Sequence, residues 1–172
     1  MAASRKPLNL IPLKLHRCHP NVTPVQEECL SPSQIIPGIY LSSCELAKNV
    51  DKLKELNITR VINVTQDIPH YHEDKGIKYL RIPIQDSWET QISDYFDLTH
   101  EFIEEGLKNN ENILVHCYAG ISRSPTIVMS YLMKKNKLSY KEIHKLVKTK
   151  RTKVDPNLSF IGQLLLFEKT LV

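Results

Sequence analysis

No stretch of this 172-residue chain is apolar for the ~20 consecutive residues that a membrane-spanning helix needs. A secretory leader is not expected either, because the short run Leu8-Asn9-Leu10-Ile11 is stopped at once by Pro12. Ala2 excludes the myristoylation pattern, which requires glycine at that position. Cysteine is sparse. Cys18, Cys29, Cys44 and Cys117 are irregularly spaced, and without a secretory signal they read as free thiols in a reducing compartment rather than a disulfide framework. The expected location is cytoplasmic, with the nucleus also open. His116 beside Cys117 lacks a second ligand pair at metal spacing, so neither a metal nor a cofactor is expected. The net charge is +4, and the basic residues from Lys134 to Lys153, opposed only by Glu142, have no interleaved aromatic platform. They read first as a solvated helix face, with a positive field that draws anionic substrate as the functional alternative and a nucleic-acid module as a weaker third reading.

Hydrophobic residues make up 41% of the chain, enough for one core. Residues 1–33 carry Pro7, Pro12, Pro20, Pro24 and Pro32 without sustained periodicity and read as an extension. Residues 34–172 read as one folded domain. Strands are expected at 39–42, 60–65, 78–84 and 112–115. A helix is expected over 46–56, and another capped by Ser93 whose face carries Tyr95, Phe96, Thr99, Phe102, Ile103 and Leu107. Three more follow, over 124–135, over 139–150 with a Ser139/Glu142 capping box, and from Asn157 with a core stripe of Phe160, Ile161, Leu164, Leu165 and Phe167. Strands alternate with helices early and helices finish the chain. This predicts an α/β fold with a small central, mostly parallel sheet flanked by helices, and a ligand site at the carboxyl ends of the strands.

The segment His116-Cys117-Tyr118-Ala119-Gly120-Ile121-Ser122-Arg123-Ser124-Pro125 occupies that place, between an apolar strand pattern and a helix start. Backbone N–H groups at a helix N-terminus bind anions, and a thiol there loses its proton more easily. If the loop curls into a nest, the amides of Tyr118, Ala119, Gly120, Ile121, Ser122 and Arg123 can converge on a phosphoryl group, with Gly120 supplying the backbone freedom. Arg123 offers a planar fork for two equatorial oxygens. Cys117 then lies in line to attack phosphorus, and water would hydrolyse the phosphocysteine. Ser124 is placed to hydrogen-bond the departing sulfur, and His116 can order the loop through its ring nitrogens.

The leaving oxygen needs a proton. Asp86, in a loop after the strand 78–84 and before Ser87-Trp88, is the leading candidate, with Glu89 nearby as the fallback. Asp94 and Asp97 fall on the solvent face of a helix, and Asp67 and Asp74 in a polar turn. Trp88 is expected to anchor its loop. Cys18, Cys29 and Cys44 are expected to be inert.

His116-Cys117, five residues, Arg123 and Ser124 match the signature of the cysteine-dependent protein tyrosine phosphatases, and Ala-Gly-Ile-Ser-Arg-Ser-Pro closely resembles the small, atypical dual-specificity members. Ile36-Pro37-Gly38-Ile39-Tyr40-Leu41 resembles the family's opening, Pro83-Ile84-Gln85-Asp86 its general-acid segment, and Asp155-Pro156-Asn157-Leu158-Ser159-Phe160 its closing helix. The resemblance runs from about Ile35 to the end. It implies a tyrosine phosphatase-like fold, the acid role of Asp86, a supporting role for Asn157 beside the phosphate loop, and hydrolysis of phosphotyrosine and phosphoserine or phosphothreonine in proteins. The neutral Tyr118, Ala119, Ile121 and Ser122 favour phosphoprotein over polyanionic phosphates. A phosphoprotein-binding pseudophosphatase or scaffold is the alternative, although such a protein should have lost Cys117 or Asp86. In the extension, Arg5-Lys6-Pro7-Leu8-Asn9-Leu10 resembles docking motifs that bind mitogen-activated kinases.

Overall fold

The structure is a computed structural model, and it describes residues 31–171. The docking-like segment Arg5 to Leu10, and with it Cys18 and Cys29, lies outside the described residues. Five strands form one sheet: β1 (Ser33–Ile36), β2 (Ile39–Ser42), β3 (Ile58–Asn63), β4 (Lys78–Arg81) and β5 (Asn112–His116). Their spatial order is β1-β2-β5-β3-β4, with β1 antiparallel to β2 and every other pairing parallel. The last strand in the sequence therefore lies at the centre. Helices α1 (Cys44–Lys48), α2 (Val50–Glu55), α3 (Phe96–Lys108), α4 (Arg123–Asn136), α5 (Tyr140–Lys150) and α6 (Leu158–Thr170) complete the domain.

The two faces of the sheet carry cores of unequal size. Along β5 the side chains alternate, as strand geometry requires. Ile113 and Val115 join the large cluster with Ile103, Ile127, Val128, Ile143, Phe160 and Leu164 from α3–α6, while Leu114 joins the small one with Leu46, Ala47 and Leu53 from α1 and α2. α4 is buried at every position from Ser124 to Met133, so it is the helix around which the others pack.

Several boundaries differ from expectation, each for a local reason. The helix expected over 46–56 is broken at Asn49, whose side chain accepts from Lys52 N–H at 3.0 Å and caps α2 anew. β1 has too few residues to show a period in the sequence. β4 ends at Arg81 rather than 84, because Pro83 has no N–H to give the ladder. Ser93 does not cap a helix: it lies in a 3₁₀ turn (Ile92–Tyr95), and its N–H is taken by Gln163 Oε1 at 3.0 Å. The capping box of Ser139 and Glu142 is formed, and Asn157 caps α6 through Phe160 N–H at 2.9 Å. In α6 the stripe holds at Phe160 and Leu164, but Leu165 is exposed and Gln163 is buried in its stead.

Among the buried polar residues, Arg60 and His100 stand away from the loop that follows β5. Arg60 on β3 is fully buried, with Nη1 donating to Phe102 O (3.2 Å) and Glu105 Oε2 (3.0 Å), Nε paired with Glu111, and the guanidinium 4.7 Å from the Phe102 ring centre. Its aliphatic stem runs against Gly106, where a Cβ would sit 2.8 Å from Arg60 Cδ. His100 sits among the rings of Phe96, Tyr131 and Phe167, with Nε2 2.9 Å from Ser130 Oγ. Burial pushes its pKa down to about 4.

Candidate active site

The central strand delivers the site. Val115 and His116 pair with Leu41 and Ser42 of β2 on one side and with Ile62 and Asn63 of β3 on the other. Cys117 thus leaves the sheet at the carboxyl end of its middle strand, and α4 begins six residues later at Arg123. The intervening loop is held entirely from outside. Tyr118 O accepts from Cys44 N–H (3.0 Å), Ala119 O from Arg151 Nη2 (3.3 Å), and Gly120 O from Arg151 Nε (2.9 Å). Ile121 O accepts from Asp155 N–H (2.9 Å), and Ser122 O from Thr126 N–H (3.1 Å) and Oγ1 (2.8 Å).

In a trans peptide the C=O and the following N–H point opposite ways. Five consecutive carbonyls tied to partners outside the loop therefore turn the amides of residues 119–123 to the other side, and that of Gly120 reaches the sulfur. Gly120 N–H donates to Cys117 Sγ at 3.2 Å, and the hydroxyl of buried Ser124 donates to the same sulfur at 3.3 Å. Gly120 has φ +70°, and a Cβ there would lie 2.4 Å from Ser42 O, so the curl requires glycine on both counts.

Asp86 reaches this loop from the segment after β4. Its Oδ1 accepts from Ser122 Oγ and Asn157 Nδ2, both at 2.8 Å, and its Oδ2 lies 3.5 Å from Arg123 Nε. Arg123 Nη1 also donates to Ile84 O at 3.2 Å. Asn157 N–H donates to Ser122 Oγ at 3.2 Å, so this one residue ties the Cys117–Arg123 loop, the Asp86 segment and the start of α6 together. The structure thus gathers Cys117, Arg123, Ser124, Asp86, Ser122 and Asn157 in one place. Asp97 is held at the surface by Lys134 (2.9 Å) and Asp74 by Lys75 (2.7 Å), both away from the loop.

The catalytic domain of the dual specificity phosphatases matches residues 39–170. The chain belongs to this family. Human dual specificity protein phosphatase 9 is 42% identical over 149 residues, covering 86% of this chain and 39% of that protein. Human dual specificity protein phosphatase 6 is 43% identical over 141 residues, covering 81% and 37%. The chain therefore spans about two fifths of the length of these relatives. The crystal structure of DUSP15 superposes with a TM-score of 0.76 at 35% identity, covering 80% of this chain and 86% of that one. The fold is accordingly the mostly parallel, tyrosine phosphatase-like α/β sheet.

Within this dual specificity phosphatase domain, His116 is fully buried behind the loop. Its Nδ1 lies 3.3 Å from Cys117 O, and burial lowers its pKa to about 4, so the ring is neutral near pH 7. His116 and His100 together predict acid sensitivity. Unfolded histidine takes up its proton near 6.5, whereas these two do so near 4. Between those values the unfolded chain binds more protons, so stability falls as pH drops from 6.5 towards 4 and levels off below. The full effect is about 3 kcal/mol per histidine. Urea midpoints at pH 7, 5 and 4 should show the decline, and His100→Gln should make it shallower.

Trp88 does not anchor its loop, since its side chain is 77% exposed. The last helix holds that loop instead, through Ser159 Oγ to Trp88 O (2.9 Å) and Gln163 Nε2 to Thr90 O (2.8 Å). Cys44 contributes its backbone N–H to the loop, while burial and then the Glu45 carboxylate push its thiol up from the ordinary value. This is consistent with an inert thiol. Arg151 was read with the solvated lysines around it but is 7% exposed and bonded to two loop carbonyls. Nothing in the charge pattern separates it from Lys148 and Lys150, which are exposed.

Proposed function

We propose that the chain hydrolyses phosphotyrosine and phosphoserine or phosphothreonine in proteins through a phosphocysteine intermediate. The observation that carries this reading is the set of five outward-tied carbonyls, which turns the opposing amides inward, that of Gly120 onto Cys117 Sγ, with Asp86 bonded to the same loop at Ser122. The amides of the loop and the fork of Arg123 take the three non-bridging oxygens. The thiolate attacks phosphorus, the P–O bond to the substrate breaks, and Asp86 protonates the leaving oxygen. Arg123 serves Asp86 before the phosphate arrives. The dianion competes for its fork and frees Oδ2 to carry the proton. A water then attacks the phosphocysteine, giving its proton to Asp86, and the S–P bond breaks with Ser124 Oγ donating to the sulfur.

Residues 34–172 act as the catalytic unit, with 1–33 as an extension outside it. The substrate is a phosphoprotein, reached in the cytoplasm or nucleus. Among the described residues no helix is long and apolar enough to cross a membrane. A purely phospho-binding role is not favoured, because the nucleophile, the acid and the arginine are all retained, with Asp86 Oδ2 3.5 Å from Arg123 Nε.

The test is an acid-quenched reaction with matched phosphotyrosine and phosphothreonine peptides. Both should release inorganic phosphate, and quenched enzyme should carry one phosphoryl group on Cys117 by peptide mass. Phosphate release with the label on another residue, or with none, would remove the phosphocysteine route. Release from one peptide alone would remove the dual specificity.

A further inference from the structure

Arg151 lies where α5 gives way to the turn before α6. Its backbone N–H closes α5 on Val147 O at 2.9 Å. Its side chain turns inward, and the guanidinium spans two successive peptide planes of the loop. Nη2 reaches Ala119 O at 3.3 Å and Nε reaches Gly120 O at 2.9 Å. The amides on the far side of these planes belong to Gly120 and Ile121. The first already donates to Cys117 Sγ at 3.2 Å.

These two planes meet at Gly120, at φ +70°, the residue at which rotation about the backbone meets least resistance. A flip of either plane would turn a carbonyl oxygen towards the sulfur and towards any bound phosphate. The neighbouring carbonyls are held by backbone donors (Cys44, Asp155 and Thr126), which follow from the fold itself. At the glycine the carbonyls are instead held by a side chain, that of Arg151.

We propose that Arg151 is a positioning residue of the phosphate cradle. Its planar fork locks the 119–120 and 120–121 peptides with their amides facing inward, and its charge polarises both amides towards the thiolate and the phosphoryl oxygens. It acts through the peptide planes whose carbonyls its Nη2 and Nε reach. The inference rests on Cys117 being the nucleophile.

Arg151→Met and Arg151→Lys test it, with Val147→Ala as a comparison that loosens buried α5 without touching the loop. Three quantities are read on folded protein: the inhibition constant for orthovanadate, the rate of Cys117 alkylation by iodoacetamide at about pH 6, where only thiolate reacts, and kcat against KM for an aryl phosphate. Arg151→Met should weaken vanadate roughly tenfold, the loss expected for one charge-assisted hydrogen bond. It should also slow alkylation and lower kcat. Arg151→Lys, a single-point donor, should recover part of each. Val147→Ala should lower the melting temperature and leave vanadate affinity and alkylation unchanged.

Wild-type vanadate affinity and alkylation rate in Arg151→Met would overturn the proposal and leave Arg151 a purely structural residue. If Arg151→Met does not fold, the same result in Arg151→Lys decides. Failure of the nucleophile reading would look different: the wild-type protein itself would show neither vanadate binding nor fast alkylation.

Discussion

Cys117→Ser is expected to stop phosphate release while leaving phosphopeptide binding in place. Every group that would hold the phosphoryl oxygens survives the change. The loop carbonyls remain tied to Cys44, Arg151, Asp155 and Thr126, so the amides still face inward, and Arg123 keeps its fork. What disappears is the sulfur nucleophile. A hydroxyl in the same place is not ionised near neutral pH, and Gly120 N–H and Ser124 Oγ, which donate to the sulfur at 3.2 and 3.3 Å, have no base among them to activate it. Removing the nucleophile of a covalent catalyst costs on the order of 10⁴–10⁶-fold in turnover. Steady-state phosphate release should fall to background, whereas the dissociation constant for a fluorescent phosphopeptide should stay within a few-fold of the wild-type KM. Retained turnover would show that another group attacks. Lost binding would show that the sulfur, not the amide cradle, holds the ligand.

The features legible in the sequence were those whose partners are close in the chain. The loop from Cys117 to Ser124 is contiguous, its glycine and arginine sit at fixed offsets, and the strand before it shows an unbroken apolar run. The Ser139/Glu142 box and the cap at Asn157 are likewise local, each closing over three residues. The long-range halves of the same residues were not legible. Asn157 bonds Asp86 across 71 positions, and Gln163 bonds Thr90 across 73. Both depend on where α6 lies against the segment that carries Asp86, which no local pattern encodes. The two buried arginines mark the same limit. Arg60 sits in a strand whose other residues predict a plain apolar core, and it is neutralised by Glu105 and Glu111 from α3 and the turn beyond. Arg151 sits among exposed lysines. Charge read along the chain cannot say which cation is turned inward. Asn49 shows the converse case. The apolar spacing of Leu46, Val50 and Leu53 suits one helix, but a competing local cap divides it.

Asp86→Ala is expected to discriminate between leaving groups, and that difference identifies the acid. A departing alkoxide from phosphothreonine needs its proton in the transition state, whereas a nitrophenolate does not. General acid catalysis is worth ~10²–10⁴-fold, so turnover of a phosphothreonine peptide should fall by that factor and turnover of p-nitrophenyl phosphate by much less. The substitution also removes the acceptor for Ser122 Oγ and Asn157 Nδ2, so part of any loss could come from a loosened loop. Asp86→Asn separates the two effects. Its Oδ1 can still accept both bonds at 2.8 Å, while no proton can be delivered. If Asp86 is the acid, Asn and Ala should be similarly poor on phosphothreonine, and Asn should be the better of the two on the nitrophenyl ester. Equal losses on both substrates in both variants would make Asp86 a structural clasp for Ser122 and Asn157 and assign the proton to another group, with Glu89 the next residue to replace.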